Sequence, residues 1–250
     1  MAKSDRIAIV TGTSSGIGTA TAKLLLEAGW EVIGISRREA PIDAPGYRHV
    51  IADLADVDGT MAVAKREIEP TLSEAAWARV GLVNNAAAGG SATFLEEQEP
   101  AYLERTFALN TITPVCLMGF VARLAPKAAL RICNVSSGAA VRALPGGGDY
   151  SSSKAALRMA SMAFAGELTS PDRPGGPHPN ILVSSYSPGV VDTEMQVRAR
   201  SHNKPWSQMF VDFHEKGMLV PPEAPGRDIV TFLESDGGEV FVERRLGDGG

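Results

Sequence analysis

Residues 7–18 read IAIVTGTSSGIG, and the folding of this stretch decides the fold of the chain. Ile7 to Val10 is a short apolar run, bounded by Asp5-Arg6 before it and Thr11-Gly12 after it. An apolar run without polar alternation reads as a strand covered on both faces, as in a parallel sheet. After it, apolar residues recur at helical spacing (Ile17, Ala20, Leu24, Leu25, Ala28) until Gly29 stops the helix. The joint between strand and helix holds Gly12, Ser14, Ser15, Gly16, Ile17 and Gly18. Glycines there permit a tight turn and let a pyrophosphate approach the helix N-terminus. The spacing is GxxxGxG, not the GxGxxG of the standard dinucleotide fingerprint.

The same alternation continues outward. Strands are expected at residues 31–36, 49–52, 80–83, 130–135 and 181–186, with a short last one at 239–242. Helical patterns fill 57–76, 99–124, 150–168 and 222–233, with Pro70 and Pro114 expected to kink or divide the first two. Two further helical stretches lie at 193–202 and 206–216. Strands and helices alternating over short links predict an α/β fold, a doubly wound parallel sheet in one domain over 1–250. Residues 169–180, TSPDRPGGPHPN, are too rich in proline and glycine for regular structure and read as a surface loop. The segment at about 190–217 follows the sixth strand and is read as a substrate lid, because such folds bind ligands beyond the carboxyl ends of their strands.

Composition narrows the function classes. The 250 residues are 44% hydrophobic and 21% charged, ordinary for a globular chain with ample core. A net charge of −5 and only short RR pairs argue against a nucleic-acid surface. Cys116 and Cys133 lie in apolar segments without motif spacing, so two reduced, buried thiols are expected and no metal site. MAKSDR lacks the features of a signal peptide, and no run of about 18 apolar residues is present. A cytoplasmic protein without a membrane span is the expectation.

A second stretch carries the chemistry. In NVSSGAAVRALPGGGDYSSSKAA, residues 134–156, Tyr150 and Lys154 are four apart and share a helix face. A tyrosine with its free pKa of about 10 is a poor acid at neutral pH, and a nearby ammonium is expected to lower it. Ser137 ends the apolar run RICNVSS and can hold a substrate oxygen beside the Tyr150 hydroxyl. About 20 residues past the glycines, where an acidic residue would favour NAD, the chain has Ser36-Arg37-Arg38. Two guanidiniums suit a 2′-phosphate, so NADP(H) is the expected cofactor. Asp53 and Leu54 end the third strand, where they can contact adenine. Asn85 and Ala86 follow the fourth, where an amide can bind ribose or brace strands. Asn110, in the long helix, either stitches helix to sheet or positions a water near Lys154.

TGTSSGIG, Asp53, NNAA, Asn110, Ser137, YSSSK and SPGVVDT occur in the order and at roughly the spacings of the short-chain dehydrogenase/reductase family, and the chain resembles it from about residue 5 to 235. The resemblance implies a Rossmann fold with strand order 3-2-1-4-5-6-7 and a catalytic set of Asn110, Ser137, Tyr150 and Lys154. It also implies that Lys154 binds the nicotinamide ribose. Pro188, Gly189, Val191 and Thr193 complete the cofactor set, with Thr193 on the carboxamide. GWEVIGISRRE (29–39), SYSPGVVDTEMQVRARS (185–201) and FHEKGMLVPPE (213–223) resemble the matching stretches of sepiapterin reductase and bacterial benzil reductases. One departure is Ala87, where the family has the glycine of NNAG.

The expected activity is NADPH-dependent reduction of a ketone or vicinal diketone, with Tyr150 as proton donor. An alcohol, steroid or sugar dehydrogenase running oxidatively is the alternative enzyme, and a non-catalytic NADP-binding sensor or scaffold the alternative of another class. Residues 139–144, Val190, Val191, Met195, Trp206 and Phe210 are expected to wall the substrate pocket. The only partners expected are a small-molecule carbonyl substrate and further copies of the chain, as the family's dimers and tetramers imply.

Overall fold

Ile7 and Ile9 of β1 (Arg6–Thr11) join one hydrophobic core, and Ala8 and Val10 join another. This is the period-two geometry of a strand, with both faces apolar. The computed structural model describes residues 4–201 and 207–248. Its strands are β1, β2 (Glu31–Ser36), β3 (Tyr47–Ile51), β4 (Arg79–Asn84), β5 (Ala129–Val135), β6 (Ile181–Ser187) and β7 (Phe241–Arg245). They form one parallel sheet in the order β3-β2-β1-β4-β5-β6-β7, the order implied by the family resemblance.

The helices, in chain order, are α1 (Gly16–Glu27), α2 (Val57–Glu67), α3 (Glu69–Glu74), α4 (Pro100–Phe107), α5 (Thr113–Leu124), α6 (Gly148–Thr169), α7 (Glu194–Ser201), α8 (Gln208–Glu215) and α9 (Glu223–Glu234). α2, α3, α5 and α6 cover the face that holds Ile7 and Ile9, through Ala64, Leu72, Leu117, Val121 and Ala165. α1 and α9 cover the other through Ala22, Leu25, Ile229 and Leu233. The β1–α1 joint, residues 12–15, lies where the sheet order reverses direction, at the carboxyl end of the strands. That is the crevice where open α/β sheets bind ligands.

The last strand and the burial of Cys116 depart from expectation, and the two helix breaks expected at proline are found. The last strand lies at Phe241–Arg245 rather than 239–242, because its ladder with β6 runs from Val183↔Phe241 to Ser187↔Arg245. Cys133 is buried but Cys116 only partly so; both are free thiols. The 57–76 helix divides at Ile68, with Pro70 in the first turn of α3. The 99–124 helix is α4, a π-turn at Ala108–Ile112, and α5. Thr113 N–H bonds Ala108 O, five residues back. Pro114 explains the wide turn: its ring would strike the carbonyl four residues earlier, which is Asn110, and it has no N–H to give that carbonyl. The continuous run Pro100–Leu124 is long and apolar enough to cross a bilayer by length and composition, which a search for unbroken apolar residues misses. Half of its most apolar window is buried inside the fold, where Leu117, Met118, Phe120 and Val121 pack into the core.

Gly18 sets how closely α1 approaches β1. A Cβ there would lie 2.3 Å from Gly12 O and 2.6 Å from Asn85 Nδ2. Gly18→Ala is therefore expected to lower unfolding free energy by about 1–3 kcal/mol, the range for overpacking, in a denaturant titration. An unchanged midpoint would mean that the helix can withdraw without cost.

Candidate active site

The glycine loop is a cradle made by the absence of side chains. Gly12 has φ +77° and Gly16 φ +58°, backbone that side chains rarely adopt. Ser15 is the N-cap of α1, so the first-turn N–H groups face the groove. Ser14 and Ile17 complete the loop and are half-buried. Thr13 is buried, and its hydroxyl accepts from the Tyr47 hydroxyl at 3.1 Å, which braces the loop from β3. Gly12 and Gly18 let the loop close on Asn85 and Ala86, where Cβ atoms would collide, and leave the α1 N-terminus bare of side chains for a pyrophosphate.

The adenosine side is more charged than the motif suggests. Arg37 and Arg38 are exposed. Arg38 Nη2 lies 3.7 Å from Glu194 Oε2, at the start of α7 across the groove. Asp53 is ion-paired with Arg105 at 3.0 Å. Burial alone would push the Asp53 carboxyl up, but the Ala55 N–H, Arg105 and Arg37 together hold it below the usual range. Leu54 is buried, and its carbonyl accepts from Thr113 Oγ1. Asn85 braces: its Nδ2 donates to Thr11 O at 2.9 Å, while Asn85 N–H and Ala86 N–H both bond Thr11 Oγ1.

On the far side, β6 ends at Ser187 and the chain turns through Pro188 and Gly189 (φ +74°). Val191 is buried and bridges to Val220. Thr193 Cγ2 lies 3.1 Å from where a Cβ on Gly16 would stand, so Thr193 rests on the glycine loop. The structure thus gathers the predicted cofactor residues along one groove. Ala87 takes its place without left-handed strain; among the described residues only Ala92 has positive φ outside glycine.

Tyr150 and Lys154 sit on the first turns of α6, and Ser137 lies two residues past β5, capping a 3-10 turn at Gly138–Ala140. Ser137 Oγ accepts from Ala139 N–H, which leaves its own hydrogen free to point at Tyr150. The Ser137 side chain lies close enough to the Tyr150 hydroxyl to bear on its titration. Burial pushes the Tyr150 pKa up, and Ser137 pulls the other way. This reverses the expected direction. Lys154 Nζ lies 5.9 Å from the ring centroid and donates to Val135 O at 2.8 Å, so its charge is held by a carbonyl rather than at the hydroxyl. Burial also lowers the Lys154 pKa to about 8.

Asn110 is fully buried in the π-turn. Its Oδ1 accepts from Ala88 N–H, and its Nδ2 donates to Ala88 O and Ser153 Oγ. Of the two roles expected, the side chain takes the stitching one, tying the helix to the loop after β4 and to α6. Its main-chain carbonyl has no α-helical donor four residues on, because residue 114 is proline.

Sequence reasoning missed Ser153, which shares the Asn110 amide, and Glu194, which meets Arg38. It also missed Phe94 and Leu95. These line a cavity of about 790 Å³ with Glu96, Ala143, Leu144, Pro145, Gly146 and Gly148, at the N-terminus of α6. Of the expected pocket walls only Ala143 and Leu144 line it. Ala139 is buried, Met195 lies against Gly89, and Phe210 stacks edge-on with Phe213 in α8. Trp206 lies outside the described residues. No signal in the sequence brings residues 94–96 to 143–148; the fold does.

A family model described as short chain dehydrogenase matches residues 6–204. A benzil reductase, (S)-benzoin forming, of Bacillus cereus is 30% identical over 244 residues, covering 92% of this chain and 95% of that protein. An L-xylulose reductase of Mesocricetus auratus is 37% identical over 204 residues, covering 76% and 73%. A short chain dehydrogenase/reductase structure from Saccharomyces cerevisiae superposes with a TM-score of 0.83 at 23% identity, over 98% and 97% of the two chains.

The buried ammonium has a stability consequence. Unfolded, Lys154 titrates near 10.5; folded, near 8. Between these values the unfolded chain holds more protons, so stability from this group rises with pH, and below pH 8 its burial cost is fully present. Lys154→Met is expected to be more stable than wild type at pH 7, by at most about 3 kcal/mol. The gap should close as pH rises from about 8 to 10.5. Urea titrations across that range measure it; a gap that widens with pH would refute the assignment.

Proposed function

The chain belongs to the short-chain dehydrogenase/reductase family, and we propose that within it this protein is an NADPH-dependent carbonyl reductase acting on ketones, with aryl diketones of the benzil type as its substrate class. The observation that carries the reading is Ser137 beside the Tyr150 hydroxyl, with buried Lys154 near the tyrosine ring. The bound cofactor supplies the hydride. Tyr150 donates the proton to the carbonyl oxygen, a role that suits a hydroxyl kept protonated by burial. Ser137 orients that oxygen and stabilises the charge that develops on it. Lys154 holds the nicotinamide ribose and stabilises the phenolate once the proton has left. The Asn110 carbonyl supports the water that returns the proton.

Arg37 and Arg38 support NADP(H): two exposed guanidiniums at the end of β2 match a 2′-phosphate. The proposed lid is the 190–217 segment, of which 202–206 lie outside the described residues; Thr193 rests on the glycine loop and Met195 on Gly89. The cavity lined by Phe94, Leu95, Leu144 and Pro145 is mostly apolar, which favours an aromatic ketone over a polyol. None of the catalytic side chains lines it, so it would take the part of the substrate remote from the reacting carbon. The 37% identity to an L-xylulose reductase keeps a sugar ketone as the second reading. Exposed Ile112, Val115, Met159 and Met162 on α5, its preceding turn and α6 support association of copies.

Purified protein with NADPH should consume cofactor with benzil, and far more slowly with L-xylulose. Tight NADPH binding without consumption on any ketone would leave the non-catalytic reading. Tyr150→Phe should lower kcat by roughly 10²–10⁴-fold, the range for general acid–base catalysis, without loss of NADPH affinity. Arg37→Ala and Arg38→Ala should each weaken NADPH by about tenfold or more, as expected for a lost charged hydrogen bond. Neither should weaken NADH comparably; equal losses for both cofactors would remove the 2′-phosphate role.

A further inference from the structure

Among the described residues Asp149 is the only buried aspartate or glutamate, and it stands immediately before Tyr150. An ionised carboxylate is costly to bury unless it is fully bonded. Its Oδ1 accepts from Tyr150 N–H at 2.8 Å. That bond belongs to the ordinary chemistry of an acidic residue in a first helical turn. The second bond does not. Asp149 Oδ2 accepts from Ser91 N–H at 2.8 Å, in the loop after β4.

That loop is held along its length. Ala88 is gripped at both N–H and C=O by Asn110. Gly89 faces α7: a Cβ there would lie 3.1 Å from Met195 Cγ. Gly90 faces the catalytic helix: its Cβ would lie 3.0 Å from Asp149 Oδ1 and 3.1 Å from Tyr150 Cβ, and its φ is +91°. Ala92 follows at φ 56°, a conformation a non-glycine residue keeps only where surrounding bonds impose it. Residues 88–91 therefore run between α7 and the catalytic helix, against Tyr150 itself.

We propose that Asp149 is a positioning residue: through Ser91 it pins the 88–91 loop against Tyr150 and so fixes one wall of the ketone site. This rests on the carbonyl-reductase reading. The part of this loop assigned to the cofactor, Asn85 and Ala86, is held by Thr11 rather than by Asp149, so the cofactor does not depend on this bond. Releasing the loop loosens the grip on the ketone and leaves Tyr150, Ser137 and the cofactor in place.

The test compares wild type, Asp149→Asn, Asp149→Ala and Gly90→Ala by hydrogen exchange, NADPH binding and steady-state kinetics with benzil. Asp149→Asn keeps the shape but turns an amide N–H₂ toward one of the two N–H donors. It should speed exchange in 88–93 and raise KM for benzil by roughly tenfold, the effect of one lost charged hydrogen bond. kcat should change by less than about threefold, with NADPH affinity retained; Asp149→Ala should do more of the same. Unchanged exchange and KM would overturn the proposal. So would a loss of kcat at constant KM, or a parallel loss of NADPH binding, since either makes Asp149 a support of the helix or of the whole fold. If both Asp149 variants fail to fold, Gly90→Ala, which pushes the loop off Tyr150 with Asp149 intact, must give the same KM signature; an unchanged KM overturns the proposal. A wild type inactive on benzil would refute the diketone reading, while the exchange comparison still decides whether Asp149 holds the loop.

Discussion

One buried amide holds the parts of the site together. Asn110 uses its acceptor and both donors on Ala88 and Ser153, so three separate segments meet at one side chain. A buried amide left half-bonded would cost about 1–3 kcal/mol, and this network removes that cost only when the segments are in register. Pro114 is what presents it. By denying the Asn110 carbonyl an α-helical donor and forcing a π-turn, the proline rotates the amide toward the loop after β4. The loop, the catalytic helix and the long helix are positioned by the same constraint.

The reacting groups are poised by burial more than by pairing. Lys154 lies out of water and Tyr150 is half-buried, and burial disfavours the charged form of each: the lysine is drawn down to about 8 and the tyrosine pushed up. The raised value keeps the tyrosine neutral, the form that can donate a proton. The cost of burying Lys154 is met only in part by Val135 O. Active sites commonly hold such groups at the expense of stability.

Charge on the other side of the groove is arranged across it. Asp53 is held ionised by Arg105 and Arg37, while Arg38 reaches Glu194 on α7. The two arginines that look equivalent in the sequence therefore face different partners. Both ion pairs are exposed and individually weak. Their effect is to gather guanidinium groups around the ends of β2 and β3.

Taken alone, the sequence was enough for the sheet, its order through the family likeness, the glycine turn between β1 and α1 and the nearness of Ser137, Tyr150 and Lys154. These are legible because strand burial, helix period and close backbone approach each impose a local pattern on residue type. It was not enough for the π-turn, for Asn85 as a brace, for the direction of the Tyr150 shift, or for the partners of Arg38 and Asp149. Those depend on segments far apart in the chain: Arg38 with Glu194, Ser91 with Asp149, residues 94–96 with 143–148. A lone aspartate before a tyrosine reads as an ordinary helix start, and an exposed arginine as a surface charge. Which groups lose water, and which distant donors replace it, is fixed only when the tertiary structure closes, because desolvation is a property of the surroundings and not of the residue.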